Sequence, residues 1–152
     1  MNPESRMWFY GLKTPMSAAQ TEELRGIMDE FVGGWKAHGA RLAAAYRIIA
    51  DQFLIIAVDE SQQQATGCSI DKSVHLLQEF GAKHHLDFFN RMLVHVMENG
   101  TFTSYSTSEL KTAIAEGKIG PKTQIMNTTA AILQESGMGT LDLADSWAAK
   151  YL

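Results

Sequence analysis

The sequence predicts an α+β fold with a ferredoxin-like core, in which a four-stranded antiparallel sheet and two helices follow the order βαββαβ. Two observations lead to this prediction. Apolar residues recur at steps of three and four in two segments, and four other short segments have the aromatic or branched composition of strands. We expect residues 1–98 to form this core and residues 99–152 to form a mixed C-terminal extension that packs on it, within a single domain.

The first predicted strand and helix are separated by a clear helix-start signal. Arg6–Tyr10 is short, aromatic and followed by a glycine, which predicts a strand. Ser17 and Gln20 have the spacing of a capping box, and an apolar stripe follows them as far as Trp35. We expect this helix to end at His38–Gly39, because glycine readily takes the left-handed conformation that ends helices.

The next four elements complete the predicted core. Leu42–Ile49 and Phe53–Asp59 are rich in small and branched residues, which predicts a hairpin. Helical spacing over Ile70–Phe80 predicts the second helix, which we expect to stop at Gly81. The alternating pattern of Met92–Met97 predicts the fourth strand.

One predicted strand is apolar on both of its faces. Phe53, Ile55 and Ala57 alternate with other apolar side chains, so the sheet face opposite the helices also needs cover. We expect either the C-terminal extension or a second copy of the chain to provide it. A homodimer is therefore one predicted partner state.

The C-terminal extension has three predicted elements of its own. A helix is expected over Ser108–Glu116 and an extended run over Thr123–Asn127. Leu143, Trp147 and Tyr151 recur at steps of four, which predicts a terminal helix over Leu141–Tyr151.

Charge and hydropathy exclude several classes of function. The net charge of -4 gives no general attraction to nucleic acid, and no apolar run approaches the length of a membrane span. A single cysteine excludes an internal disulfide and fits a reducing compartment. We therefore expect a cytoplasmic protein that binds neither nucleic acid nor membrane.

The loop between Phe53–Asp59 and the second helix carries the most chemistry. Cys68 lies near a predicted helix start, where the positive end of the helix dipole lowers thiol pKa values. In a functional interpretation Cys68 is a nucleophile or redox sensor, with Asp59 or Glu60 as acid or base. In a structural interpretation Ser69 and Asp71 cap the helix, Cys68 is a small buried hydrophobe, and the two carboxylates mark a solvated strand end.

The histidines and the glycine-rich segments give no motif for a metal or a cofactor. The five histidines include no pair at the spacing of a helical zinc site, so we expect no metal. The segment Gly117–Thr123 has too few residues between its glycines for a phosphate-binding loop, and Pro121 removes a backbone amide from it. We expect no cofactor.

Six short motifs are spread over nearly the whole chain: Trp35–Gly39, Val58–Glu60, Gly67–Val74, Asp87–Arg91, Thr128–Thr129 and Ser146–Trp147. Together they resemble a family of small bacterial proteins of unassigned function that are sometimes labelled ABC transporter ATPases. The chain lacks the Walker A loop that such a label requires. The resemblance directs attention to candidate site residues without assigning them a reaction. These candidate residues are His38, Asp59, Glu60, Cys68, Ser69, Asp71 and Arg91.

Two functions follow as hypotheses. The first is a non-enzymatic module that binds a small molecule or associates with itself, because the chain lacks a recognisable catalytic set. The alternative is an enzyme or redox sensor that uses Cys68, with His38 or Asp59 brought near it by folding.

Overall fold

The computed structural model describes residues 1–132 and 139–152, and within them the protein has an α+β fold. The helices are α1 (Ala18–Gly34), α2 (Gly67–His84) and α3 (Thr107–Ala115). The strands are β1 (Arg6–Gly11), β2 (Lys36–Ala37), β3 (Ala40–Arg41), β4 (Ala43–Ile49), β5 (Phe53–Asp59), β6 (Val94–Glu98), β7 (Thr101–Tyr105), β8 (Gln124–Met126) and β9 (Thr140–Asp142). None of the helices in these ranges combines the length and apolar character needed to cross a bilayer.

The first sheet is antiparallel, with the strand order β1-β5-β4. Side chains of β5 alternate between its two faces, so Leu54, Ile56 and Val58 all join one buried cluster. Leu24 of α1 and Leu77 of α2 are fully buried in the same cluster. The predicted hairpin and the two helices that cover one face of its sheet are therefore present.

Helix α1 begins where the capping box predicted, but it ends before His38–Gly39. Trp35 leaves the helix because its indole is buried and its Nε1–H donates to the Ser69 carbonyl at 2.8 Å. His38 and Gly39 both have positive φ, and they form the two-residue turn between β2 and β3. The predicted helix end is therefore wrong, and His38 lies in a hairpin turn.

Helix α2 continues one turn beyond Gly81, where the sequence predicted a stop. A Cβ on Gly81 would lie 2.4 Å from the Leu86 carbonyl oxygen, so this glycine permits close approach of the returning chain. The helix ends instead at His85, which has the left-handed conformation.

The predicted single four-stranded sheet is not confirmed. The fourth predicted strand, β6, lies in a second antiparallel sheet with the order β7-β6-β8-β9. Asn99 and Gly100 both have positive φ and turn β6 directly into β7, which takes one edge of β6. Strand β8 pairs with the other edge. Alternation identifies a strand but not the strand with which it pairs.

The second apolar face of the first sheet is covered by later parts of the chain. The Phe53 ring contacts those of His95 and Phe102 edge-on, with centroids 4.8 and 5.1 Å apart. Ala130 packs with Met7 on the same face. Phe102 and Ala130 of the C-terminal extension therefore lie on this face of the sheet.

The C-terminal extension differs from its prediction at its end. Helix α3 and strand β8 lie in the predicted segments, but Leu141–Tyr151 is not one helix. Leu141 pairs with Ile125 in the second sheet, and two short 3-10 helices follow at Leu143–Asp145 and Trp147–Tyr151. Ser146 between them is extended and caps the second one, because serine favours caps over helix interiors.

Candidate ligand-binding site

The Cys68 thiol lies where the sequence placed it, but it is not enclosed. Cys68 is the second residue of α2, after the N-cap Thr66, and its side chain is exposed. The expectation that it is a small buried hydrophobe is therefore wrong. Within residues 1–132 and 139–152, no side chain forms a hydrogen bond or ion pair with the thiol.

The polar residues around Cys68 are held by local hydrogen bonds. Asp59 Oδ1 accepts from the Ser61 N–H at 3.0 Å, and this bond lowers the pKa of the Asp59 carboxyl. Glu60 Oε2 accepts from the Ala65 N–H at 2.9 Å. Ser69 Oγ accepts from the N–H of the N-cap Thr66 at 2.7 Å. Each of these groups therefore shapes the loop.

The remaining predicted site residues do not join this loop by any contact among the described residues. His38 lies exposed in its hairpin turn, and Asp71 is exposed on the first turns of α2. Thr66 and Ser69, rather than Asp71, form the capping box. Arg91 lies in a different part of the molecule, beside β1.

A cavity of about 440 Å³ lies along the outer edge of β1, on the side away from β5. Its walls come from β1 itself, from the segment 88–93 that follows α2, from His95 and Trp147, and from the segment 128–131. Residues of the predicted core and residues of the predicted C-terminal extension therefore both line this cavity.

The cavity opens where the pairing of β1 with the later segment stops. The Met7 N–H donates to the Ala131 carbonyl at 2.9 Å, and Arg6 forms an isolated bridge with Ile132. Because alternate residues of an antiparallel strand point their backbone groups to the same edge, Phe9 and Gly11 also face this side. Among the described residues their N–H groups have no hydrogen-bond acceptor there.

Among the described residues, the charged side chains that line the cavity are two arginines. Arg6 and Arg91 form no ion pair with any carboxylate in the described ranges, and no aspartate or glutamate is among the described lining residues. The Arg6 guanidinium lies 4.8 Å from the centre of the Trp8 ring, in cation–π geometry. The local charge of the cavity is thus positive, although the whole chain is acidic.

Tyr10 and His95 are neutral groups of the same cavity. Burial raises the pKa of the Tyr10 phenol, so the phenol keeps its proton at neutral pH. Burial lowers the pKa of His95 to about 4, so the imidazole is uncharged at neutral pH. His95 Nδ1 lies 2.6 Å from Ser104 Oγ, its cross-strand partner.

Comparisons with known proteins found no match from which a function could be inferred. No model of a protein family matches the chain, and neither a curated protein nor a solved structure matches it significantly. In the part of the chain that the structure describes, no group of three or more histidine, cysteine, aspartate or glutamate side chains could hold a metal ion.

Sequence reasoning found Arg91 through the family resemblance and missed Arg6 and His95. Arg6 and Trp8 stand two residues apart in a strand, a spacing that places a cation and an aromatic ring on one face. That signal was present in the sequence. His95 carried no such signal, because its neighbours come from distant strands.

Proposed function

We propose that this protein binds a small organic anion in the cavity beside β1. The observation that carries the proposal is the pair of arginines, Arg6 and Arg91, facing a cavity whose described lining contains no carboxylate. In a chain of net charge -4, two guanidinium groups on one cavity without a carboxylate partner among the described residues favour an anionic ligand.

The rest of the lining favours a ligand with an apolar body. Trp8, Phe88, Leu93 and Trp147 present aromatic or aliphatic surface to the cavity. A volume of about 440 Å³ lies in the range of small-molecule sites, which are mostly apolar with a few polar groups that orient the ligand. We infer an organic acid with a ring or short aliphatic part, rather than a bare inorganic ion.

Binding without catalysis is the interpretation with the most support. Cys68, the proposed nucleophile of the alternative, has no hydrogen-bonded base among the described residues and does not line the cavity. We favour ligand binding over self-association, because the apolar sheet face that suggested self-association contacts His95, Phe102 and Ala130 of the same chain.

The test uses two fluorescent probes that differ in charge. Anilinonaphthalene sulfonate has an aromatic body and one negative charge, and phenyl-naphthylamine has a similar body without charge. We expect the wild-type protein to bind the sulfonate more tightly than the neutral probe. Arg91→Gln should weaken sulfonate binding about three- to tenfold, the size of one charge-assisted contact, and leave binding of the neutral probe unchanged.

The matched control is Arg41→Gln. Arg41 is an exposed arginine of β3 outside the cavity, so this variant removes the same charge from another place. Equal loss of sulfonate binding in the two variants would show a general charge effect and contradict the proposed site. Equal affinity of the wild-type protein for both probes would contradict the proposed ligand class.

A further inference from the structure

Three side chains from separate strands and turns form a hydrogen-bonded relay that ends at the cavity. Gln52 lies in the turn between β4 and β5, Ser104 in β7 and His95 in β6. Gln52 Nε2 lies 2.7 Å from Ser104 Oγ, and Ser104 Oγ lies 2.6 Å from His95 Nδ1. Gln52 and His95 are both 2% exposed, so the two ends of the relay are buried, and Ser104 between them is half-buried.

The contacts of Gln52 fix the orientation of its side-chain amide. Its side-chain nitrogen lies 2.7 Å from the Leu12 carbonyl and 3.3 Å from the Lys13 carbonyl. Two carbonyl oxygens require a donor between them, so the NH2 group of the amide, and not its oxygen, occupies this place. The same NH2 group therefore donates to Ser104 Oγ.

A Ser104 hydroxyl that donates to His95 Nδ1 would satisfy both of its neighbours. Its hydroxyl oxygen accepts from Gln52, and within the described ranges the other group bonded to it is His95 Nδ1. When the Ser104 hydroxyl donates to Nδ1, that nitrogen carries no proton. A neutral imidazole with a bare Nδ1 carries its proton on Nε2.

The Nε2 atom of His95 faces the cavity beside Gly11. A Cβ on Gly11 would lie 2.6 Å from Nε2, so the missing side chain leaves room for a ligand atom next to this nitrogen. Ser5 Oγ and Thr21 Oγ1 are the fully buried side-chain polar atoms without a partner in the described residues; Nε2 is not one of them. Because His95 lines the cavity and is otherwise enclosed, the accessible surface of Nε2 opens into it.

We propose that Gln52 and Ser104 hold His95 in the tautomer with its proton on Nε2, and that this N–H donates a hydrogen bond to a carboxylate or other oxyanion of the ligand beside Gly11. The inference rests on the proposed function for the identity of the ligand. It deepens that function, because it places an acceptor oxygen of the organic anion at a stated atom. A ligand with an amine at that end would meet a donor and is excluded.

The tautomer is tested without any ligand. Two-dimensional proton–nitrogen NMR of the wild-type protein at neutral pH distinguishes an imidazole protonated at Nε2 from one protonated at Nδ1. We expect the Nε2 form for His95, and a mixture of both forms in Ser104→Ala, which removes the donor to Nδ1. A wild-type His95 protonated at Nδ1 would overturn the inference, whatever the protein binds.

The contact with the ligand is tested with two substitutions of His95. His95→Asn keeps a polar group near Nδ1 and loses the donor at Nε2, whereas the longer amide of His95→Gln reaches towards the Nε2 position. We expect His95→Asn to weaken binding of anilinonaphthalene sulfonate about tenfold, as for loss of a hydrogen bond to a charged group, and His95→Gln to restore most of it.

The outcomes separate this inference from the proposed function. Sulfonate binding that depends on Arg91 but is the same in His95→Asn and His95→Gln would overturn the contact and leave the anion site standing. Failure of the wild-type protein to bind the sulfonate would overturn the anion site and the contact together. The NMR result on the tautomer does not depend on either binding result.

Discussion

The loop at the start of α2 and the cavity beside β1 differ in how their polar groups are satisfied. In the loop, the polar side chains of Asp59, Glu60 and Ser69 bond to backbone groups no more than five residues away. In the cavity, Arg6 and Arg91 have no carboxylate partner, and His95 Nε2 has no hydrogen-bond partner, among the described residues. Polar groups that are already bonded shape a loop, whereas convergent polar groups without partners favour a ligand site.

The comparison also explains why a cysteine at a helix start gives weak support for catalysis. The thiol of Cys68 has the helix amino terminus behind it but no imidazole or carboxylate bonded to it in the described structure. The cavity, in contrast, joins segments that are more than a hundred residues apart in the sequence, such as β1 and Trp147. The cavity is therefore formed by residues that are distant in the sequence, whereas the loop is held by bonds between near neighbours.

The largest expected effect concerns acid stability and belongs to the cavity. The His95 pKa is 6.5 in the unfolded chain and about 4 in the folded protein. As pH falls from about 6.5 to 4, the unfolded state gains a proton that the folded state does not accept, so the free energy of unfolding falls by at most about 3 kcal/mol. Denaturant titrations across this pH range should show the decline.

The matched variant for this prediction is His95→Gln, which cannot titrate. Its free energy of unfolding should decline less over the same pH range, because the carboxylates that also titrate there are common to both proteins. Asp59, whose pKa is lowered in the loop, contributes in the same direction only as pH falls towards its own lower range. Parallel pH profiles of the two proteins would contradict the buried, neutral state of His95.

The next effect compares a glycine of each region. A Cβ on Gly11 would lie 2.6 Å from His95 Nε2, whereas a Cβ on Gly67 at the start of α2 would have nothing within 4 Å. We expect Gly11→Ala to destabilise the protein by about 1–3 kcal/mol through overpacking and to abolish probe binding. Gly67→Ala should change stability by no more than about 1 kcal/mol. Thermal denaturation measures the stability of each variant, and probe fluorescence measures its binding. Equal effects of the two substitutions would contradict the predicted difference between the cavity and the loop.

The smallest effect is expected at Cys68. Because its side chain is exposed, alkylating reagents should modify it in the folded protein. Cys68→Ser should change the free energy of unfolding by less than about 0.5 kcal/mol, as for most surface substitutions, and leave probe binding at the wild-type value. A loss of probe binding in this variant would contradict the cavity beside β1 as the binding site and would support the hypothesis that Cys68 is functional.

Local sequence signals predicted most helices and strands correctly, but they did not predict which strands pair. The capping box at Ser17 and the apolar stripes identified both core helices, and the composition of β5 predicted that both of its faces are covered. The fourth strand was found, yet it pairs in a second sheet. The Asn99–Gly100 turn, which joins β6 to β7, is also a local sequence signal. Which sheet the two strands then join depends on the whole arrangement of strands.

The sequence by itself determined the start of α1, the two apolar faces of β5 and the position of Cys68 near the amino terminus of α2, because each depends on side chains within a few residues of one another. Tertiary structure alone decided that Arg6, His95 and Arg91 line one cavity. It also decided that Ser104 and Gln52 bond in series to His95. These contacts join separate strands and turns, and periodicity reports which face a residue occupies but not what lies opposite it.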